Sequence, residues 1–128
     1  MNPKDFISIH DKESASHKVI IYKEAPVTGI DQVNDFFDYL EEISENKEFH
    51  LIIDLSDTKP PSAEVRATLK NRFGKLNDKI KSYHVYIGSN ILLKIAVQFV
   101  GASIGLRNFK THNSIEKAVN YINEKIVT

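Results

Sequence analysis

Gly101-Ala-Ser103-Ile-Gly105 spells the pattern in which a serine hydroxyl is exposed on a sharp turn as a nucleophile. That chemistry needs a strand before the serine and a helix after it. Here an apolar helical run precedes the serine and a strand-like run follows it, and His112 comes before Glu116, so the order acid then histidine fails as well. The two glycines read instead as points of close helix packing, with Gly105 ending the helix. The five histidines, His10, His17, His50, His84 and His112, fall in or beside predicted strands and turns, without the helical spacing that zinc sites use. His50 and His84 become neighbours if their strands adjoin, which reads as a structural pairing, and no metal is expected. Asp54 and Asp57 would serve an enzyme only in a cleft that couples them to each other or to a histidine. Neither a Gly-x-Gly-x-x-Gly turn nor a Walker loop occurs, so the expectation is no cofactor and no catalytic residue.

Composition narrows the setting for these residues. The chain has 128 residues, with 17 Lys and Arg balanced by 17 Asp and Glu, which argues against general nucleic-acid binding. It has no cysteine, which excludes disulfides, thiolate metal sites and thiol nucleophiles. With 41% hydrophobic residues and only four prolines and five glycines, the expectation is a single folded domain over 1–128. The longest apolar stretch, 91–106, carries Lys94 and Gln98 and falls short of the ~20 residues that span a bilayer. The N-terminus lacks the apolar run of a signal peptide. A cytoplasmic protein with no transmembrane segment is the reading.

The elements that must position any site follow from periodicity. Phe6 to His10 and Val19 to Tyr22 are β-rich runs across a polar turn, an opening hairpin. Thr28 and Asp31 offer a helix start, after which Ile30, Val33, Phe36, Phe37, Leu40 and Ile43 share one helical face as far as Asn46. The unbroken apolar run Phe49 to Leu55 suits a central strand covered on both sides. Pro60 and Pro61 stop the chain, Ser62 caps the next helix, and Val65, Leu69, Phe73, Leu76 and Ile80 form its stripe. Gly74 costs that helix about 1 kcal/mol relative to Ala. Tyr83 to Ile87 alternates as a fourth strand, and Ser89 or Asn90 caps a helix over 91–103. A fifth strand at 108–111 leads to a last helix capped by Asn113 or Ser114, with Ile115, Ala118, Val119, Ile122 and Ile126 inward. The order β-β-α-β-α-β-α-β-α predicts an α/β domain: an open sheet of five strands with four helices.

Two patterns mark surfaces. Segment 31–48 carries Asp31, Asp35, Asp38, Glu41, Glu42, Glu45 and Glu48 against Lys47; segment 64–81 carries Arg66, Lys70, Arg72, Lys75, Lys79 and Lys81 against Glu64 and Asp78. The two either lie side by side and pair or steer a protein partner. The 91–103 helix is apolar around nearly its whole circumference, so Leu92, Ile95 and Phe99 are candidates for contact with a second copy, a partner or an apolar ligand.

The element order, the strand Leu51-Ile-Ile-Asp54-Leu55-Ser56 and the ending Asn108-Phe109 to Glu116, Ala118, Tyr121 and Ile122 resemble the STAS superfamily, and within it the SpoIIAA-like branch. Tyr121 stands where Trp is frequent in that branch. The type members are bacterial anti-sigma-factor antagonists, switched by a phosphorylated serine in Asp-Ser-Ser-Gly after the third strand. This chain has Ser62-Ala63-Glu64-Val65 there, so the resemblance implies the fold without the kinase switch, and Glu64 places fixed negative charge near the switch position. It further implies a non-enzymatic regulatory domain that docks a protein partner through Ser56, Asp57, Thr58, Ser62, Glu64, Arg66, Lys70 and Lys75. The alternative is a lipid or apolar small-molecule binding module, also implied by likeness to lipid-binding domains, with Leu92, Ile95 and Phe99 at its pocket.

Overall fold

The computed structural model describes residues 7–9, 18–23, 29–45, 47–56, 62–88 and 109–126. Within these, five strands form one sheet in sequence order: β1 (Ile7–Ile9), β2 (Lys18–Lys23), β3 (Phe49–Asp54), β4 (Ile80–Tyr86) and β5 (Lys110–His112). β1 and β2 pair antiparallel, as the opening hairpin requires, and the remaining three pairings are parallel. Helix α1 (Ile30–Ser44) joins β2 to β3 and α2 (Ala63–Leu76) joins β3 to β4. Because each crossover advances the sheet in the same direction and parallel crossovers share one hand, both helices fall on the same side. α3 (Ile115–Tyr121) follows β5 and runs into a π-helical turn, Ile122–Ile126.

Strand alternation distributes the side chains between two faces. Ile20 and Tyr22 of β2, Leu51 and Ile53 of β3, and Tyr83 of β4 meet Val33, Phe36, Phe37 and Leu40 of α1 and Val65, Leu69, Phe73 and Leu76 of α2. The opposite face carries Val19 and Ile52, which pack on Ala118 and Ile122 of α3 and its continuation. β3 is therefore covered on both sides, as its unbroken apolar run predicts. A register shift beside Phe49 and His50 skips Lys81. This bulge explains why Ile80 and Tyr83, three apart, both join the α1/α2 core, while Ser82 and His84 turn to the other face.

Several expectations are corrected. Gly29, not Thr28, is the N-cap of α1: its N–H donates to Gln32 Oε1 at 3.3 Å, so Gln32 rather than Asp31 answers the cap. α1 ends at Ser44 because Glu45 adopts the left-handed conformation at φ 53°. α2 ends at Leu76, so Ile80 belongs to β4 and not to the helical stripe; the strand starts three residues before the alternating run at Tyr83. Lys79 and Lys81 thereby leave the basic helix, and Lys81 pairs with Glu48 at 3.0 Å. β5 lies two residues later than expected, at Lys110–His112. Ser62 caps α2 through Val65 N–H at 3.3 Å, and Ser114 caps α3 through Lys117 N–H at 3.0 Å. The predicted helix over 91–103 and the serine pattern over 101–105 lie outside the described residues.

Candidate functional site

The α1/α2 seam accounts for part of the charge pattern. Arg72, whose side chain is 12% exposed, reaches from α2 to α1. Its guanidinium donates to Asn34 Oδ1 at 2.9 Å and Asp38 Oδ1 at 2.7 Å, lies 3.4 Å from Glu41 Oε1, and sits 5.4 Å from the centre of the Phe37 ring. The acidic and basic helices are thus neighbours that pair, but through one arginine. Among the described residues Arg66, Lys70 and Lys75 form no ion pair.

These three cations do not make one stripe. At about 100° per residue, Lys70 lies about 40° from Arg66 around α2, whereas Lys75 is turned about 180° away. Lys75 instead borders a cleft with Glu41, Ser44, Leu76 and Lys79 at the C-terminal ends of the two helices. At their N-terminal ends an open cleft of about 600 Å³ is lined by Gly29, Ile30, Asp31, Gln32, Ser62, Glu64 and Val65. Ser56, just past β3, donates both its N–H and its hydroxyl to Asp54 Oδ1, at 3.0 and 2.6 Å. Asp57 and Thr58, and likewise Leu92, Ile95 and Phe99, lie outside the described residues. Inside the α1/α2 core, the void among Tyr22, Phe36, Phe37, Leu40, Leu51 and Phe73 holds only about 10 Å³, too little for an organic ligand.

The other sheet face holds a polar constellation that single-sequence spacing did not assemble. His50 of β3 is 1% exposed and His84 of β4 is 2% exposed. Ser82 Oγ sits between them, 2.6 Å from His50 Nδ1 and 2.8 Å from His84 Nε2. The other ring nitrogen of His84, Nδ1, is 2.8 Å from Nε2 of His112 on β5. Tyr121 of α3 packs over both rings, with centroids 5.7 Å from His84 and 5.3 Å from His112, and Lys110 Nζ lies 4.0 Å above the Tyr121 ring. The result is a continuous hydrogen-bonded chain, His50–Ser82–His84–His112, spanning three parallel strands beneath one edge of α3.

Burial sets its protonation. Removal from water lowers the His84 pKa to about 4, reinforced by His112, His50 and Lys110. Burial, with Lys110 alongside, also lowers His112. All-neutral imidazoles satisfy the chain in either of two directions, each nitrogen or hydroxyl donating to the next. A hydroxyl between imidazoles resembles a nucleophile beside its base. Here both of its contacts are spent within the chain, and neither cleft at the helix ends is lined by it. Among the described residues no group of three or more His, Asp or Glu is arranged to hold a metal ion. The signal available in the sequence was parity: with β3 and β4 adjacent, His50, Ser82 and His84 fall on one face, but the bulge and the β4–β5 pairing that complete the chain are tertiary facts.

No family model and no curated protein matches the chain. A crystal structure of an uncharacterized protein from the DUF3478 family, with a SpoIIAA-like fold and from Shewanella loihica PV-4, matches it with a TM-score of 0.68. The identity is 16%, over 91% of this chain and 93% of that one. The chain has a SpoIIAA-like fold. The resemblance read from β3 and from the C-terminal strand and helix therefore holds at the level of architecture. Within this SpoIIAA-like fold, Ser56, Ser62 and Glu64 gather past the carboxyl end of β3, the end at which open parallel sheets most often bind. Arg66 and Lys70 extend that surface along α2, and Lys75 falls outside it. No helix among the described residues is long and apolar enough to cross a membrane.

Proposed function

We propose that this SpoIIAA-like domain is a non-enzymatic, regulatory protein-interaction module that docks an acidic partner surface at the N-terminal end of α2. The observation that carries the reading is the division of charge on α2. Arg72 is consumed by Asn34, Asp38 and Glu41 of α1, while Arg66 and Lys70, turned well away from Arg72 around α2, stand without an ion pair among the described residues. Cations held on a rigid helix and not spent on an ion pair raise the encounter rate with an acidic partner and fix its orientation. Fixed charge at Glu64, in the first turn of α2, replaces a switchable one and makes the docking constitutive.

The test is a charge-reversal comparison on a partner isolated with the protein from its own cells and then purified. Arg66→Glu with Lys70→Glu weakens binding by about tenfold or more and flattens its salt dependence, whereas Lys75→Glu, on the far side of α2, leaves both near wild type. Equal binding by all variants, or loss only with Lys75→Glu, overturns the assignment of this surface.

A further inference from the structure

The His50–Ser82–His84–His112 chain lies on the sheet face opposite the proposed docking surface, and its hydrogen-bond arithmetic has a limit. With one added proton the chain remains complete. A doubly protonated His84 donates from Nε2 to Ser82 and from Nδ1 to His112, and the Ser82 hydroxyl donates to His50 Nδ1. With a second proton, on His112, both nitrogens of the His84–His112 contact become donors, 2.8 Å apart, with no acceptor between them. Two like charges then face each other in a buried site, against a third on Lys110.

We propose that this hydrogen-bonded chain is an acid-operated latch that stays closed with one added proton and, on taking a second, releases β5 and α3 from the sheet. Its geometry puts the breaking point at one edge of the described sheet, where β4 and β5 share three residue pairs. β5 is a three-residue edge strand, and α3 is seven residues long and continues as a π-helical turn. Tyr121 is the α3 residue stacked over the two titrating rings, so separation of His84 from His112 removes the platform on which it rests. Release uncovers the apolar strip of Val19 and Ile52, now sealed by Ala118 and Ile122.

The groups that face the couple are of one tendency. β3 presents His50, β5 presents Lys110, and α3 presents the Tyr121 phenol. The carboxylate in the same sheet row as His112, Asp54, accepts from Ser56 instead, and the α3 charges Glu116, Lys117 and Glu124 lie on its exposed side. Among these elements no carboxylate is bonded to either ring to hold the second charge.

Hydrogen–deuterium exchange across pH 7 to 3, corrected for intrinsic rates, tests the latch on the whole chain. The wild type loses protection over 110–126 while 30–44 and 63–76 stay protected, and a fluorescent apolar probe binds over the same range. His112→Asn keeps a group able to accept from His84 but cannot take the second proton, and its opening moves at least one pH unit lower. Loss of protection in all elements together, or identical midpoints for wild type and His112→Asn, overturns the proposal. Should the variant not fold, imidazole ¹⁵N shifts of the wild type decide: opening must accompany the second proton of the His84–His112 couple, and a closed α3 with both rings charged refutes it.

Discussion

Arg72 offers the most demanding test of how the two helices are held together. Replacement by Ala removes a guanidinium that bridges Asn34, Asp38 and Glu41 and covers Phe37. The bond to Asn34 is charge-assisted and part-buried, worth about 1.5–2 kcal/mol. The stack on Phe37 adds about 0.5–1 kcal/mol. Asp38 and Glu41 are 71% and 44% exposed, so the two carboxylates together contribute about 0.5 kcal/mol after screening. The expected loss is therefore about 3 kcal/mol, or about 10 °C in Tm for a domain of this size. Arg72→Lys keeps the charge but not the planar fork and loses about half as much. Urea unfolding followed by far-ultraviolet circular dichroism, at low salt and at half-molar salt, checks both numbers. Because the carboxylate share is small, the loss barely changes with salt. A cost below about 0.5 kcal/mol, or one abolished by salt, would refute a part-buried clamp and reduce Arg72 to a surface ion pair.

Other outcomes follow from single positions. His84 has a folded pKa of about 4 against 6.5 for an exposed imidazole, so the unfolded chain binds more protons between these values. Stability is full above about pH 6.5 and falls as pH drops toward 4, by up to about 3 kcal/mol from this group, with His112 acting in the same direction. Urea midpoints that stay level or rise from pH 7 to 4.5 contradict that sign. Gly74 lies in the interior of α2 with no atom within 4 Å of an added Cβ, so Gly74→Ala raises stability by about 0.5–1 kcal/mol in the same assay. Gly88 has φ +70°, and an added Cβ there would also meet Ser56 Cβ at 3.6 Å; Gly88→Ala lowers stability by about 1–2 kcal/mol. Opposite signs for the two glycines are the result to look for.

The histidine chain and the arginine clamp share a physical basis that separates them from the exposed cations of α2. Each is made of polar groups withdrawn from water, so its members bond to one another with little competition, and a change in one is felt by all. Arg66 is half-buried and Lys70 exposed, and at such positions charge governs approach more than stability. The histidine chain and the proposed docking surface lie on opposite faces of the sheet and can be altered independently.

Local pattern in the amino-acid sequence was enough for the alternating elements, the helical faces of 30–44 and 63–76, the doubly covered β3, and the Ser62 and Ser114 caps, because each depends on residues within one or two turns of each other. It also carried the SpoIIAA-like likeness, through β3 and the C-terminal strand and helix. Tertiary structure alone decided the rest. The 1-2-3-4-5 strand order put α1 and α2 on one face, so that Arg72 met Asn34, Asp38 and Glu41, 31 to 38 residues away. A bulge of one residue kept Ile80 on the α1/α2 face and aligned Ser82 and His84 beneath α3, where pairing with β5 brought in His112 from 28 residues along the chain. A histidine in a sequence is a titratable group; burial, and a neighbour with which it must share a proton, make it a latch.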